Sequence, residues 1–167
     1  MALSLVRYIS DCVGYNPVAL EPKKSINRLG WVGVAFTPYE KDIRYEGGMD
    51  FEAIFKNVSE KGDFDVWKKL CSDLRKNIPL RMMMAASFAS VLLEPLKVLP
   101  FVLHLWGTTG TGKTVALMVA MSIWGNPRMG GLVKTMNMTK NAIMRNAAFL
   151  CSIPFAGDEL QTIKDKW

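Results

Sequence analysis

Between Phe101 and Trp124 the chain reads FVLHLWGTTGTGKTVALMVAMSIW, and no other stretch limits its possible folds as tightly. Six mostly apolar residues stop at Gly107, eight Gly- and Thr-rich residues follow, and ten small or apolar residues complete the segment. The pattern predicts a strand, a loop that wraps an anion, and a helix.

The loop Gly107-Thr108-Thr109-Gly110-Thr111-Gly112-Lys113-Thr114 fits the spacing G-x-x-x-x-G-K-[ST], in which every fixed position has a physical task. Gly107 and Gly112 open backbone conformations closed to residues with a β-carbon, so successive N–H groups can converge on one phosphate. The positive end of the following helix adds to that field. Lys113 can reach the β- and γ-phosphates of a nucleotide such as ATP, and the Thr114 hydroxyl can ligate the Mg²⁺ between them. All eight residues are candidate nucleotide-binding positions, and Lys113 is also a candidate catalytic residue. The alternative is a Gly/Thr-rich turn with an incidental lysine.

A second constellation lies 45 residues beyond Lys113, where the apolar run from Phe149 to Gly157 ends in Asp158-Glu159. This predicts a strand that delivers two acids beside the loop. Asp158 would hold the Mg²⁺ shell, and Glu159 would orient and deprotonate the attacking water. Pro154 weakens that strand because proline cannot donate into a central ladder. The alternative is a loop bearing two solvated acids.

The net charge of +6 is unevenly spread: −1 over residues 1–60, +3 over 61–100 and +4 over 101–167. No acid occurs between Phe101 and Gly157, so Arg128, Lys134, Lys140 and Arg145 stand unbalanced there. A basic ATPase half suits a polyanionic partner such as DNA. An ordinary solvated face, with its acids elsewhere in a larger protein, is the competing explanation. Cys12, Cys71 and Cys151 form no C-x-x-C pair and imply neither a disulfide framework nor a zinc site, which suits a reducing cytoplasm. The start MALSLVRYISD carries Arg7 and Asp11 too early for a secretory signal. The apolar run Met82 to Leu93 is too short to cross a bilayer and reads as a buried helix.

Residues 1–60 read as a small mixed region. It has a helical start (Leu3, Leu5, Val6, Ile9), a Pro/Lys loop from Asn16 to Lys24, a strand over Trp31–Phe36 and a second strand near Ile43–Tyr45. Its aromatics read as packing rather than as a base-stacking platform. Residues 61–100 read as a helical pair. The first helix has Phe64, Trp67, Leu70, Cys71 and Leu74 on one face and Asp63 or Asp65 near its start; the second is opened by Pro79, ended by Glu94-Pro95 and rich in small residues. Met82-Met83-Met84 reads as core filler. After the loop helix, the pattern predicts a strand over Leu132–Met136, an N-cap at Thr139 and a helix over Lys140–Ala148. His104 falls inside the strand before the loop and reads as structural.

From about Lys61 to Lys166 the chain resembles the domain of unknown function 927 family, P-loop ATPases of phage, plasmid and other mobile elements, often beside primase or helicase functions. The similarity is carried by Gly62-Asp63 leading to Trp67, His104-Leu105-Trp106-Gly107 with Gly112-Lys113-Thr114, Ser122-Ile123-Trp124-Gly125-Asn126-Pro127, and Asp158-Glu159-Leu160-Gln161. Trp31 to Tyr39 is also similar to the stretch that precedes this region in the family. The resemblance implies an AAA+-like core of helicase type, acting as a homo-oligomeric ring in the cytoplasm of a bacterial or phage-infected cell.

The expected fold class is thus α/β: a partial P-loop NTPase core with a parallel sheet over 101–167, preceded by the helical pair and the small mixed region. Such a core would continue past its acid-bearing strand, so a polar sensor residue and an arginine finger are expected beyond Trp167. The expected function is Mg²⁺-dependent ATP binding and hydrolysis in DNA replication or unwinding. Three alternatives stay open: an ATP-driven protein remodeller without DNA contact, a small-molecule phosphotransferase, and a purely structural or binding role.

Overall fold

The computed structural model describes residues 2–16 and 24–159. Among them lie six helices, α1(Ala2–Tyr15), α2(Met49–Asn57), α3(Phe64–Leu74), α4(Ile78–Leu93), α5(Lys113–Met121) and α6(Lys140–Leu150). Six short strands accompany them: β1(Lys24–Ile26), β2(Gly30–Val32), β3(Ala35–Thr37), β4(Ile43–Tyr45), β5(Val133–Thr135) and β6(Ala156–Asp158). The protein is mixed α/β. The loop expected from Asn16 to Lys24 lies, apart from its two ends, outside the described residues, as do Leu160 and Gln161.

Three helices begin where a short polar side chain satisfies backbone N–H groups that the helix itself leaves bare. Asp63 accepts from the N–H groups of Asp65 and Val66 at 2.8 and 3.0 Å, which settles the start of α3. Asn77 accepts from the Leu80 N–H at 3.2 Å, with Pro79 in the first turn of α4 where its missing donor costs nothing. Thr139 accepts from the Ala142 N–H and caps α6 as expected.

The strands depart from the sequence expectation in three places. Trp31–Phe36 is a hairpin rather than one strand: β2 and β3 pair antiparallel with Trp31 opposite Phe36, because Gly33 at φ 63° turns the chain. The apolar run before the phosphate-type loop, Phe101–Trp106, carries no ladder. Its neighbours explain this: β5 and β6 pair with each other, no described strand lies alongside it, and Val102 stays 93 % exposed. His104 accordingly sits in an exposed unpaired segment, not inside a strand. Finally, Phe149 and Leu150 complete α6 and Cys151 ends it at φ 52°, so the last strand begins only at Ala156, beyond Pro154, and the proline never meets the ladder. β1 pairs parallel with β4, the strand expected near Ile43–Tyr45, whereas α2 occupies a stretch where no element was expected.

One apolar cluster joins the two ends of the chain. Leu29, Ile54 and Val58 pack with Met121, Trp124, Leu132, Val133, Phe149, Leu150 and Ile153. A smaller cluster of Met83, Ala116 and Ala120 lies between α4 and α5. Met83 and Met84 are buried filler, and Met82 is exposed. Buried Ser87 on α4 donates its hydroxyl to the Ala120 carbonyl at 2.7 Å and accepts the Trp124 indole N–H at 2.9 Å. The aromatics expected to pack do so, Trp31 edge-on to Phe36 and Phe36 against Tyr39 and Trp124.

The Trp124-Gly125-Asn126 turn after α5 grips the end of α2. The Asn126 N–H donates to the Asn57 carbonyl at 2.8 Å, and its side-chain amide donates to Asn57 Oδ1 at 3.0 Å. A β-carbon on Gly125 would stand 2.0 Å from the same carbonyl oxygen, so only glycine fits. No helix among the described residues is long and apolar enough to cross a membrane.

Two substitutions test this framework by urea or thermal unfolding. Gly125→Ala should lose about 3 kcal/mol or more, as overpacking against rigid backbone does, whereas Gly48→Ala, which meets open space, should change little. Ser87→Ala should cost about 1–3 kcal/mol, because the Trp124 indole N–H is then buried without a partner.

Candidate functional site

The loop from Gly107 to Thr114 connects the unpaired apolar segment to α5. Gly107, Gly110 and Gly112 take φ 154°, 85° and 80°, all disfavoured for residues with a β-carbon. Gly112 is the N-cap of α5, its carbonyl accepting from the Ala116 N–H at 2.9 Å, so the loop feeds directly into a helix N-terminus. That combination concentrates backbone N–H dipoles at one spot.

Lys113 folds over this loop. Its ammonium donates to the carbonyls of Gly107 and Thr108 at 2.9 and 2.7 Å and to Thr111 Oγ1 at 3.4 Å. The Thr111 hydroxyl also donates to the Thr108 carbonyl at 2.9 Å. The charge is therefore held against the loop residues by weak neutral acceptors, from which a polyanion could draw it.

The adjacent Thr114 reaches across the fold. Its hydroxyl donates to Asp158 Oδ2 at 2.5 Å, a contact spanning 44 residues. Parallel pairing of β5 and β6, with Thr135 opposite Asp158, brings that carboxylate to the end of the small sheet facing the first turn of α5. Asp158 Oδ1 accepts from the Glu159 N–H at 2.9 Å, and Glu159 itself takes the left-handed φ of 61°. For a residue with a β-carbon this conformation costs on the order of 1 kcal/mol. Thr114 and Asp158 form a hard oxygen pair that suits Mg²⁺. Among the described residues no group of three or more His, Cys, Asp or Glu could hold a metal alone, so an ion here would complete its shell from phosphate and water.

Of the residues expected at the site, the fold places 107–112 in one loop, folds Lys113 at the start of α5 back over it and brings Thr114 to Asp158. The four basic residues are not gathered in the same way. Arg145, expected to be unbalanced, pairs with Asp50 at 3.4 Å and stacks over Phe51 at 5.3 Å; its counter-charge comes from the acidic first third of this same chain. Lys134 donates to the Gly130 carbonyl at 3.0 Å, and burial pushes its ammonium below the usual lysine range. Arg128 lines a separate hollow beyond the far end of α5. Sequence reading missed Asn57, which belongs to no motif and is identified only by its bonds to Asn126.

A family model described as Domain of unknown function (DUF927) matches residues 3–166. No curated protein and no solved structure matches the chain.

The Thr114–Asp158 contact has a direct test. Thr114→Val removes the donor from a short, charge-assisted bond and should cost about 1–2 kcal/mol in urea unfolding, whereas Thr114→Ser, which keeps the hydroxyl, should stay within about 0.5 kcal/mol of the parent.

Proposed function

The chain belongs to the Domain of unknown function (DUF927) family, and from that premise we propose that it binds ATP with Mg²⁺ and hydrolyses it as the ATPase part of a phage or mobile-element DNA helicase or replication protein. The fold proposed is a P-loop NTPase core of AAA+ type that works in a homo-oligomeric ring. The observation that carries this reading is the 2.5 Å contact of Thr114 with Asp158. Two oxygens from motifs 44 residues apart converge where a nucleotide-bound Mg²⁺ would need them. A chance Gly/Thr turn and a chance acidic loop have no reason to meet.

In the proposed mechanism the N–H groups of residues 107–112 hold the β-phosphate, helped by the dipole of α5. Lys113 exchanges its loop carbonyls for β- and γ-phosphate oxygens, trading neutral acceptors for charged ones. Thr114 and Asp158 would hold Mg²⁺, which when bound neutralises charge on the β- and γ-oxygens. Glu159 takes a proton from water as the water oxygen bonds to the γ-phosphorus and the bond to the bridging oxygen breaks, releasing ADP and phosphate. The strained backbone at Glu159 supports its assignment as the base, since left-handed conformations in residues with a β-carbon concentrate at working sites.

DNA as the substrate is supported by the surplus of positive charge in residues 101–167. Remodelling of a protein partner is the second reading, and the neutralisation of Arg145 by Asp50 favours it, because that pair removes one base from the surplus.

Calorimetry with ATP and excess Mg²⁺ should show binding by the parent, at least a tenfold loss for Lys113→Ala, and retained binding for Glu159→Gln. Steady-state hydrolysis by the protein that contains this chain should fall about 100-fold or more in Glu159→Gln and rise when single-stranded DNA is added. No heat from any purine nucleotide would overturn ATP binding; equal rates with and without DNA would remove the nucleic-acid half.

A further inference from the structure

A hollow of about 930 Å³ lies away from the glycine-rich loop. It lies past the last turn of α5, against the turn Ser122–Arg128, the start of α3 and the chain just after α2. It lies at the other end of the nine-residue helix that Lys113 begins, a rise of about 13 Å along the axis. Its size falls near the top of the range of about 300–1,000 Å³ that ligand pockets occupy.

Part of its wall is aromatic. Phe64 and Trp67 lie stacked, their rings 5.9 Å apart and inclined by 21°. The Trp67 indole donates to Ser122 Oγ at 3.0 Å, which fixes the ring, while Phe64 is 66 % exposed. Phe88 of α4 and Tyr39 also face the hollow, and both are about half exposed. Exposed aromatic side chains around one concavity can serve as a stacking platform.

The charges of the hollow are arranged unequally. Arg128 and Lys61 line it with no ion pair among the described residues, whereas Lys56, which also lines it, is held by Glu52 at 2.7 Å. Of the two acids present, Asp63 spends its carboxylate on the N–H groups that start α3. Glu60 lies on the Tyr39 side, where burial, and then the Glu60 charge, raise the tyrosine's pKa. An aromatic wall next to Arg128 and Lys61 fits a flat heteroaromatic ring joined to an anion.

We propose that this hollow binds a nucleobase together with its adjoining phosphate, the base on Phe64 and Trp67 and the phosphate on Arg128 and Lys61. The same chemistry is offered by a segment of single-stranded DNA and by a free mononucleotide. In its strand form the inference rests on the DNA reading above; it does not depend on ATP hydrolysis.

The test is fluorescence anisotropy of a labelled oligodeoxythymidylate, with AMP measured by calorimetry in a Lys113→Ala background so that the phosphate-type loop does not contribute. Phe64→Ala should weaken binding about 5- to 100-fold. Arg128→Ala should weaken it about tenfold and flatten the logarithmic salt dependence by about one. Both residues are exposed, so folding should survive, as circular dichroism can check. Lys97→Ala, an exposed charge outside the hollow, should change affinity less than twofold. Loss confined to the oligonucleotide makes the ligand a strand, and equal loss with AMP makes it a free nucleotide; both support the site. Oligonucleotide binding that is unchanged in both variants overturns the site and leaves the DNA reading standing. No binding of either probe to the parent overturns the site, and the DNA reading then rests on the hydrolysis assay alone.

Discussion

The close approach of α4 and α5 governs the rest of the molecule. Ala116 and Ala120 present almost no side chain toward Met83, and Ser87 is small enough to reach the backbone of α5 directly. Because the Ser87 hydroxyl also receives the Trp124 indole, one buried polar atom ties two helices and the turn that follows. Among the described residues no buried side-chain polar atom lacks a partner, so this contact is obtained without an unsatisfied group. Once α5 is fixed along its length, both of its ends have set positions. The N-terminal end carries the glycine loop, Lys113 and Thr114, and the C-terminal end carries the Gly125-Asn126 grip on Asn57.

Charge does little of the holding. Lys56–Glu52 is an exposed pair within one turn of α2, and Lys76–Asp73 and Lys97–Glu94 are exposed pairs at or past the ends of α3 and α4, where solvent screens them strongly. The apolar cluster from Leu29 to Ile153 makes the larger contribution, since burying a side chain such as Leu29 or Leu132 is worth about 1.5–3 kcal/mol. That cluster also explains why a short sheet can hold Asp158 in place. Val133 and Ala156, paired across β5 and β6, are themselves buried in it, so the strand ends cannot drift from the first turn of α5.

Much of the site was legible because its logic is local. Gly112, Lys113 and Thr114 are neighbours, and the need for positive φ at glycine and for a charge at the loop mouth can be read from spacing alone. The helix starts at Asp63 and Thr139 were accessible for the same reason, because a cap and the N–H groups it satisfies lie within three residues, whereas the start of α4 was read at Pro79 and its cap, Asn77, came only with the structure. The strand before the loop failed the same kind of reading. A run such as Phe101–Trp106 has the composition of a strand, but a strand exists only through a neighbour, and a neighbour is not a property of the run.

By itself, then, the sequence determined the loop, its lysine, the hydroxyl beside it, the acidic pair downstream and the starts of α3 and α6, since each follows from interactions over a few residues. Only the tertiary structure decided that Thr114 touches Asp158, that Arg145 is answered by Asp50, that Asn57 receives Asn126, and that Phe64, Trp67 and Arg128 surround one hollow. Those contacts join residues 44 to 95 positions apart, or elements from opposite parts of the chain, and their geometry depends on how distant elements pack rather than on any pattern along the backbone.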